Sequence, residues 1–144
     1  MPASSPRYNS KCANLTKLVI HEFSDDGALA RYVHQYRSRQ SQTDMAIEVS
    51  QVIASRKNLI LEAGTGVGKT FAYLIPALLS GKQIVVSTGS KNLQEQLFLK
   101  DLPALLSMLD IHPRIALLKG RSNYLCQLRL NKQMQQARHC HEDL

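Results

Sequence analysis

Hydrophobic and polar positions change rhythm several times along the chain, and each change marks an element. Residues 1–20 mix Ser, Pro and Asn with weak periodicity, so residues 1–22 read as a mobile leader. From Thr43 onward, Met45, Val49, Val52 and Ile53 form one apolar helix stripe behind the cap candidates Ser41, Thr43 and Asp44, and Arg56-Lys57 suits its C-terminus. Leu59-Ile60-Leu61 is an unbroken apolar run of the kind found in a strand buried on both faces. Phe71, Leu74, Ile75, Leu78 and Leu79 give a second helix, with Pro76 expected to kink it and Gly81 placed to cap it. Ile84-Val85-Val86 reads as a second buried strand, followed by a turn at Ser87–Ser90 and a helix carrying Leu93, Leu97 and Phe98. Asp101-Leu102-Pro103 reads as a cap and an early helical Pro, opening a further helix on Leu102, Leu105, Leu106 and Leu109. Ile115-Ala116-Leu117-Leu118 supplies a third strand. This alternation predicts an α/β fold, with a parallel sheet, right-handed crossovers and flanking helices.

Composition narrows the class without naming a function. The 144 residues suit one domain, and 44% hydrophobic content is enough for a buried core. The net charge of +7 favours polyanionic partners, but it is spread as +3 over residues 1–40, 0 over 41–80 and +4 over 81–144, which argues against a basic arm or tail. Cys12, Cys126 and Cys140 are an odd count at irregular spacing, which argues against a disulfide framework and for a reducing compartment. With no secretory leader and no apolar run near the ~20 residues of a membrane span, a soluble cytoplasmic protein without membrane association is expected.

The sharpest chemical signal is Ala63-Gly64-Thr65-Gly66-Val67-Gly68-Lys69-Thr70, a phosphate-binding loop with Ala63 at the usual first Gly. A loop that wraps a polyphosphate needs residues without bulky side chains, so that backbone N–H groups converge at the start of the next helix. Gly64, Gly66 and Gly68 meet that need. Lys69 would bring a point charge to the β and γ phosphates, and the Thr70 hydroxyl would complete a Mg²⁺ shell, which makes these two the catalytic candidates. A Gly-rich link that merely allows tight strand-to-helix packing is the plainer alternative. The loop by itself does not distinguish a motor, a phosphoryl donor or a switch.

Four blocks in order, RQSQ (Arg39–Gln42), EAGTGVGKT (Glu62–Thr70), STGSKNLQEQL (Ser87–Leu97) and LLKGRSNYLC (Leu117–Cys126), with a looser leader at Phe23–Ala30, resemble the XPD/DinG family of iron–sulfur DNA helicases, most closely its YoaA-like branch. The resemblance implies that residues 23–144 are the N-terminal part of a first RecA-like P-loop NTPase motor domain, truncated as an iron–sulfur insertion begins. It implies ATP and Mg²⁺ as cofactors, and single-stranded DNA as the partner of the complete protein, tracked 5′ to 3′. It implies that Gln42 reads the adenine edge, where a solvent-facing helix-start Gln is the alternative. It further implies DNA contacts from Thr88, Gly89 and Ser90, against ordinary turn and cap chemistry, and from Lys119, Arg121 and Tyr124. Arg121 reads equally as a solvated charge, and Tyr124 as a core aromatic.

Cys126 matches the first of four cysteines that hold a [4Fe–4S] cluster in this family, a cofactor expected of the complete protein only. The sequence departs from the pattern after that point, because only Cys140 follows, within His139-Cys140-His141. An acidic Mg²⁺ motif is also missing, since Leu105–Asp110 has helical spacing and Asp110 is a poor candidate for that role. The isolated chain is therefore expected to be inactive. Two rival classes are a small P-loop kinase and a non-catalytic nucleotide-binding regulator. The kinase would want its own acidic residue and an Arg-rich lid, and the regulator is not separable from a helicase fragment.

Overall fold

A computed structural model describes the backbone of residues 6–142 and the side-chain environment of residues 14–136, so the expectations on Cys12 and His139-Cys140-His141 lie outside the described side chains. The chain divides into two units, Met1–His112 and Pro113–Leu144.

In the first unit the element order is α1 (Pro6–Glu22), α2 (Ala28–Tyr32), α3 (Gln40–Ser55), α4 (Lys69–Leu79), α5 (Lys91–Gln96), a π-helical turn (Leu97–Asp101) and α6 (Leu102–Leu109). The expected mobile leader differs from what is observed, because α1 runs through it and Leu15, Val19 and Phe23 enter the core at i, i+4, i+8. Burying that stripe supplies the tertiary packing that most protein helices depend on. Beyond α1 the chain folds back on itself: Glu22 Oε2 accepts the Ala28 amide at 2.9 Å, and the Tyr36 hydroxyl donates to the Phe23 carbonyl at 3.1 Å.

Helix α3 packs against both α1 and α4. Its most buried residues are Gln42, Ala46 and Ser50, whereas the apolar stripe of Met45, Val49, Val52 and Ile53 is only half-buried. Ala46 and Ser50 are small, which suits a helix that touches two neighbours at once. Ser50 is fully buried and satisfied: it donates to the Ile47 carbonyl at 2.7 Å and shares a 2.9 Å hydrogen bond with the Thr16 hydroxyl.

Helix α4 buries Ala72, Leu74, Ile75, Pro76 and Ala77, and Pro76 lies within it without ending it. The expected break at Asp101-Leu102-Pro103 is instead a continuous helical path through the π turn, in which the Leu102 amide bonds the Leu97 carbonyl. Pro103 has no N–H to give the carbonyl four residues back, and lengthening the ladder there is a known way to pass such a gap. Leu105 of α6 is fully buried.

The expected α/β, RecA-like parallel sheet is overturned: no strand occurs among the described residues. The three apolar runs at 59–61, 84–86 and 115–118 carry no regular structure and are largely exposed, with Ile60 at 97% and Val85 at 90%. The physical reason lies in the core, which is built from Leu15, Val19, Phe23, Leu29, Ala46, Ala72, Leu74, Ile75, Leu97 and Leu105. None of the three runs contributes a side chain to that cluster, so no core packing holds them in register as strands. Three- or four-residue runs gain ladder hydrogen bonds only by long-range pairing, whose closure entropy must be met first.

The second unit holds a short 3₁₀ turn (Arg121–Asn123) and α7 (Gln127–Glu142). Among the described residues no helix is long and apolar enough to cross a membrane.

Candidate functional site: the phosphate loop

The loop expected to bind phosphate leads into the N-terminus of α4. Gly66 and Gly68 take φ of +81° and +84°, a left-handed conformation that other residues adopt only at a cost. Gly68 is the residue before the helix, and its carbonyl accepts the Ala72 amide at 3.2 Å, which starts the α4 ladder. Lys69, the first helical residue, folds back so that Nζ donates to the Ala63 carbonyl at 2.9 Å and the Gly64 carbonyl at 2.7 Å. Its ammonium is therefore held at the first two carbonyls of the loop. On the outer side a Cβ placed on Gly64 or Gly66 would meet no atom within 4 Å, so that side of the loop is open. An open loop, a cation beside it and the amide end of an eleven-residue helix together make an arrangement that attracts anions.

The first turn of α3 reaches the same loop. Gln42 is buried, and its Nε2 donates to the Gly68 carbonyl at 3.0 Å. The structure thus brings Gln42 to the loop and sets its amide against Gly68. Arg39, the residue before α3, donates from its guanidinium to the Gly66 carbonyl. Sequence reasoning missed this Arg39 contact, and nothing in the spacing of RQSQ marks a partner 27 residues away.

Tyr73 stands one helical turn on from Thr70. Burial pushes the Tyr73 phenol above its ordinary range; the Thr70 hydroxyl opposes that rise, and the Asp101 charge adds to it. Tyr73 was also missed, although its i+3 position relative to Thr70 was a usable signal.

At the second expected site the hydroxyls are engaged locally. Thr88 Oγ1 donates to the Ser90 carbonyl at 3.1 Å, and Ser90 Oγ accepts the Leu93 amide at 3.2 Å as the N-cap of α5. Gly89 sits between them in the turn, exposed. Asp110 lies exposed at the end of α6, 3.9 Å from His112.

Within the second unit, Arg121, Tyr124 and Cys126 line one groove, joined by Arg129, Leu130 and Gln133 of α7. The Tyr124 hydroxyl accepts the Lys119 amide at 2.8 Å and leaves the ring half-exposed beside Arg121. The α7 contribution was missed, though Arg129 and Gln133 stand at i+3 and i+7 from Cys126. Cys126 is an exposed free thiol, and no group of three or more His, Cys, Asp or Glu fit to hold a metal ion occurs among the described residues.

Against known families, residues 43–137 match the DEAD/DEAH box helicase domain. The chain belongs to that helicase family. Within it, the chain is 48% identical over 130 residues to the ATP-dependent DNA helicase YoaA of Haemophilus influenzae, covering 90% of this chain and 19% of that protein. It is 49% identical over 115 residues to the protein of the same name from Escherichia coli, covering 80% and 18%. The 3′-5′ exonuclease DinG of Bacillus subtilis is 39% identical over 109 residues, covering 73% and 12%. This helicase-family chain therefore spans about a fifth or less of the length of these curated relatives. No solved structure matches it.

Proposed function

We propose that this chain carries the nucleotide-binding loop of an ATP-dependent DNA helicase of the YoaA/DinG kind, acting in the cytoplasm on single-stranded DNA. The observation that carries the reading is the loop itself: two left-handed glycines, an open outer side and Lys69 at the start of α4. These residues fit a Mg²⁺-bound triphosphate, whose phosphoanhydride supplies the free energy that a helicase spends. Backbone N–H groups from Gly64 to Thr70 would hold the phosphates, Lys69 would leave its two carbonyls for phosphate oxygens, and the Thr70 hydroxyl would face the metal. Membership of a helicase family across residues 43–137 favours this over a metabolite kinase.

On the DNA side, support comes from the second unit's groove, where the half-exposed Tyr124 ring stands beside the Arg121 and Arg129 cations, a pairing suited to stacked bases and backbone phosphates. The described residues do not fit an iron–sulfur cluster. Cys126 stands without a second described thiolate, and the reading runs through nucleotide and DNA alone.

The test is nucleotide binding by the purified chain, with phosphate release measured with and without single-stranded DNA. Weak ATP binding that Lys69→Ala abolishes, without DNA-stimulated turnover, is the expected result. Binding that is indifferent to Lys69→Ala would remove the loop from the mechanism.

A further inference from the structure

Both left-handed residues of the loop have their carbonyls held from one place. Gly68 O accepts Gln42 Nε2 at 3.0 Å, and Gly66 O accepts the Arg39 guanidinium. Both donors belong to the first turn of α3 and the residue before it.

Arg39 is an odd occupant of its position. The residue before a helix is best filled by Ser, Thr, Asp or Asn, whose side chain accepts a free helical amide, and Arg39 makes no such bond. Its side chain turns away from its own helix to the loop instead. Gly66 has the greater need of that tie, because its outer side is open and packing does not hold the loop tip there.

From this we infer that Arg39 is a positioning residue for nucleotide binding, holding Gly66 in its left-handed conformation so that the loop amides are pre-arranged for phosphate. The inference rests on the phosphate-loop reading above and deepens it. Because the tie runs through a backbone carbonyl, its effect falls on the polyphosphate and is blind to the base. A lysine can also give one N–H to one carbonyl, whereas it cannot make a forked guanidinium–phosphate contact.

The experiment measures binding of Mg²⁺-ATP, Mg²⁺-GTP and inorganic tripolyphosphate to the full 144-residue chain and its Arg39→Ala, Arg39→Lys and Lys69→Ala variants. Hydrogen exchange of the loop is followed in nucleotide-free protein. Losing a charge-assisted hydrogen bond that pre-arranges the site weakens binding by about ten-fold. The expected result is that loss in Arg39→Ala, equal for all three probes and largely restored in Arg39→Lys. Faster exchange at residues 63–68 should accompany it without a change in the α1–α4 core.

A loss confined to ATP would make Arg39 a base reader and overturn the inference. Failure of Arg39→Lys to restore binding, or unchanged loop exchange in Arg39→Ala, would overturn it as well. Unchanged binding in Arg39→Ala alongside a loss in Lys69→Ala would overturn this inference and leave the loop reading standing. Indifference to Lys69→Ala would remove both.

Discussion

Replacing the three loop glycines one at a time by alanine should give three different stability costs, because the structure treats each differently. Gly64 is outside the left-handed region and a Cβ there meets nothing within 4 Å, so Gly64→Ala should be neutral or stabilise by about 0.4–1 kcal/mol through the unfolded chain. Gly66 has the same open space but a φ of +81°, so Gly66→Ala should cost about 1–2 kcal/mol of conformational strain. At Gly68 the strain recurs, and the new Cβ would also lie 2.1 Å from Gln42 Nε2 and 2.9 Å from its Cδ. Gln42 is buried and has little room to retreat, so its bond to the Gly68 carbonyl is lost and its amide loses its partner, adding about 1–3 kcal/mol. The total for Gly68→Ala is about 3 kcal/mol, which at a urea dependence of about 1.5 kcal/mol/M moves the unfolding midpoint down by about 2 M. Urea melts of the three variants read this order directly. A double-mutant cycle isolates the clash: in a Gln42→Ala background, Gly68→Ala should cost no more than Gly66→Ala. Equal costs at Gly66 and Gly68, or a cycle without coupling, would refute the packing of Gln42 on the loop.

Ser90→Ala should cost about 1 kcal/mol, the usual value of an N-cap, visible as a lower urea midpoint; no change would mean that its hydroxyl does not serve α5. The Tyr36 and Tyr73 phenols are both pushed above the ordinary value of about 10 by burial, first of all causes, so in the unfolded chain they ionise before the folded protein allows it. Their contribution to stability is complete below pH ~10 and falls as the pH rises through the raised folded values, and melts between about pH 8.5 and 11.5 should steepen downward in wild type and flatten in Tyr36→Phe and Tyr73→Phe. Lys69→Ala removes an exposed contact to two loop carbonyls, so its melting should stay within about 0.5 kcal/mol of wild type while its nucleotide binding is lost.

Helices were legible where the apolar stripe is also the buried face. The spacing of Leu74 and Ile75 in α4, and of Leu105 in α6, predicted burial that the structure shows. At α3 the helix was legible but its buried face was not, because its buried residues are Gln42, Ala46 and Ser50, which hydrophobicity does not mark. The stripe Leu15, Val19, Phe23 stands in the sequence at helical spacing, but the Ser, Pro and Asn content before it and the consecutive run Leu18-Val19-Ile20 obscure it; Leu18 and Ile20 are the exposed members of that run. The three expected strands failed differently. Their composition is that of strands, but strand formation is a property of a partner as much as of a segment, and the helical core leaves these runs unpaired.

The loop was legible because its glycines answer a local demand, whereas the ties on it are long-range and carry no sequence mark. Those ties also bear on what nucleotide binding can be worth to this chain. Lys69 gives hydrogen bonds to Ala63 and Gly64, Arg39 to Gly66 and Gln42 to Gly68, so the donors around the loop end on its own carbonyls. A triphosphate must take Lys69 from two carbonyl partners before it gains that cation, and the gain is the difference between a charge-assisted bond to phosphate and the bonds given up. Arg39 and Gln42 need not move, since a phosphate seated on the loop amides leaves the Gly66 and Gly68 carbonyls where they are. The donors of the site therefore have separate roles. On the proposed reading, Lys69 would exchange carbonyl for phosphate as nucleotide arrives, and the α3 pair would keep the backbone in the shape that makes the exchange favourable.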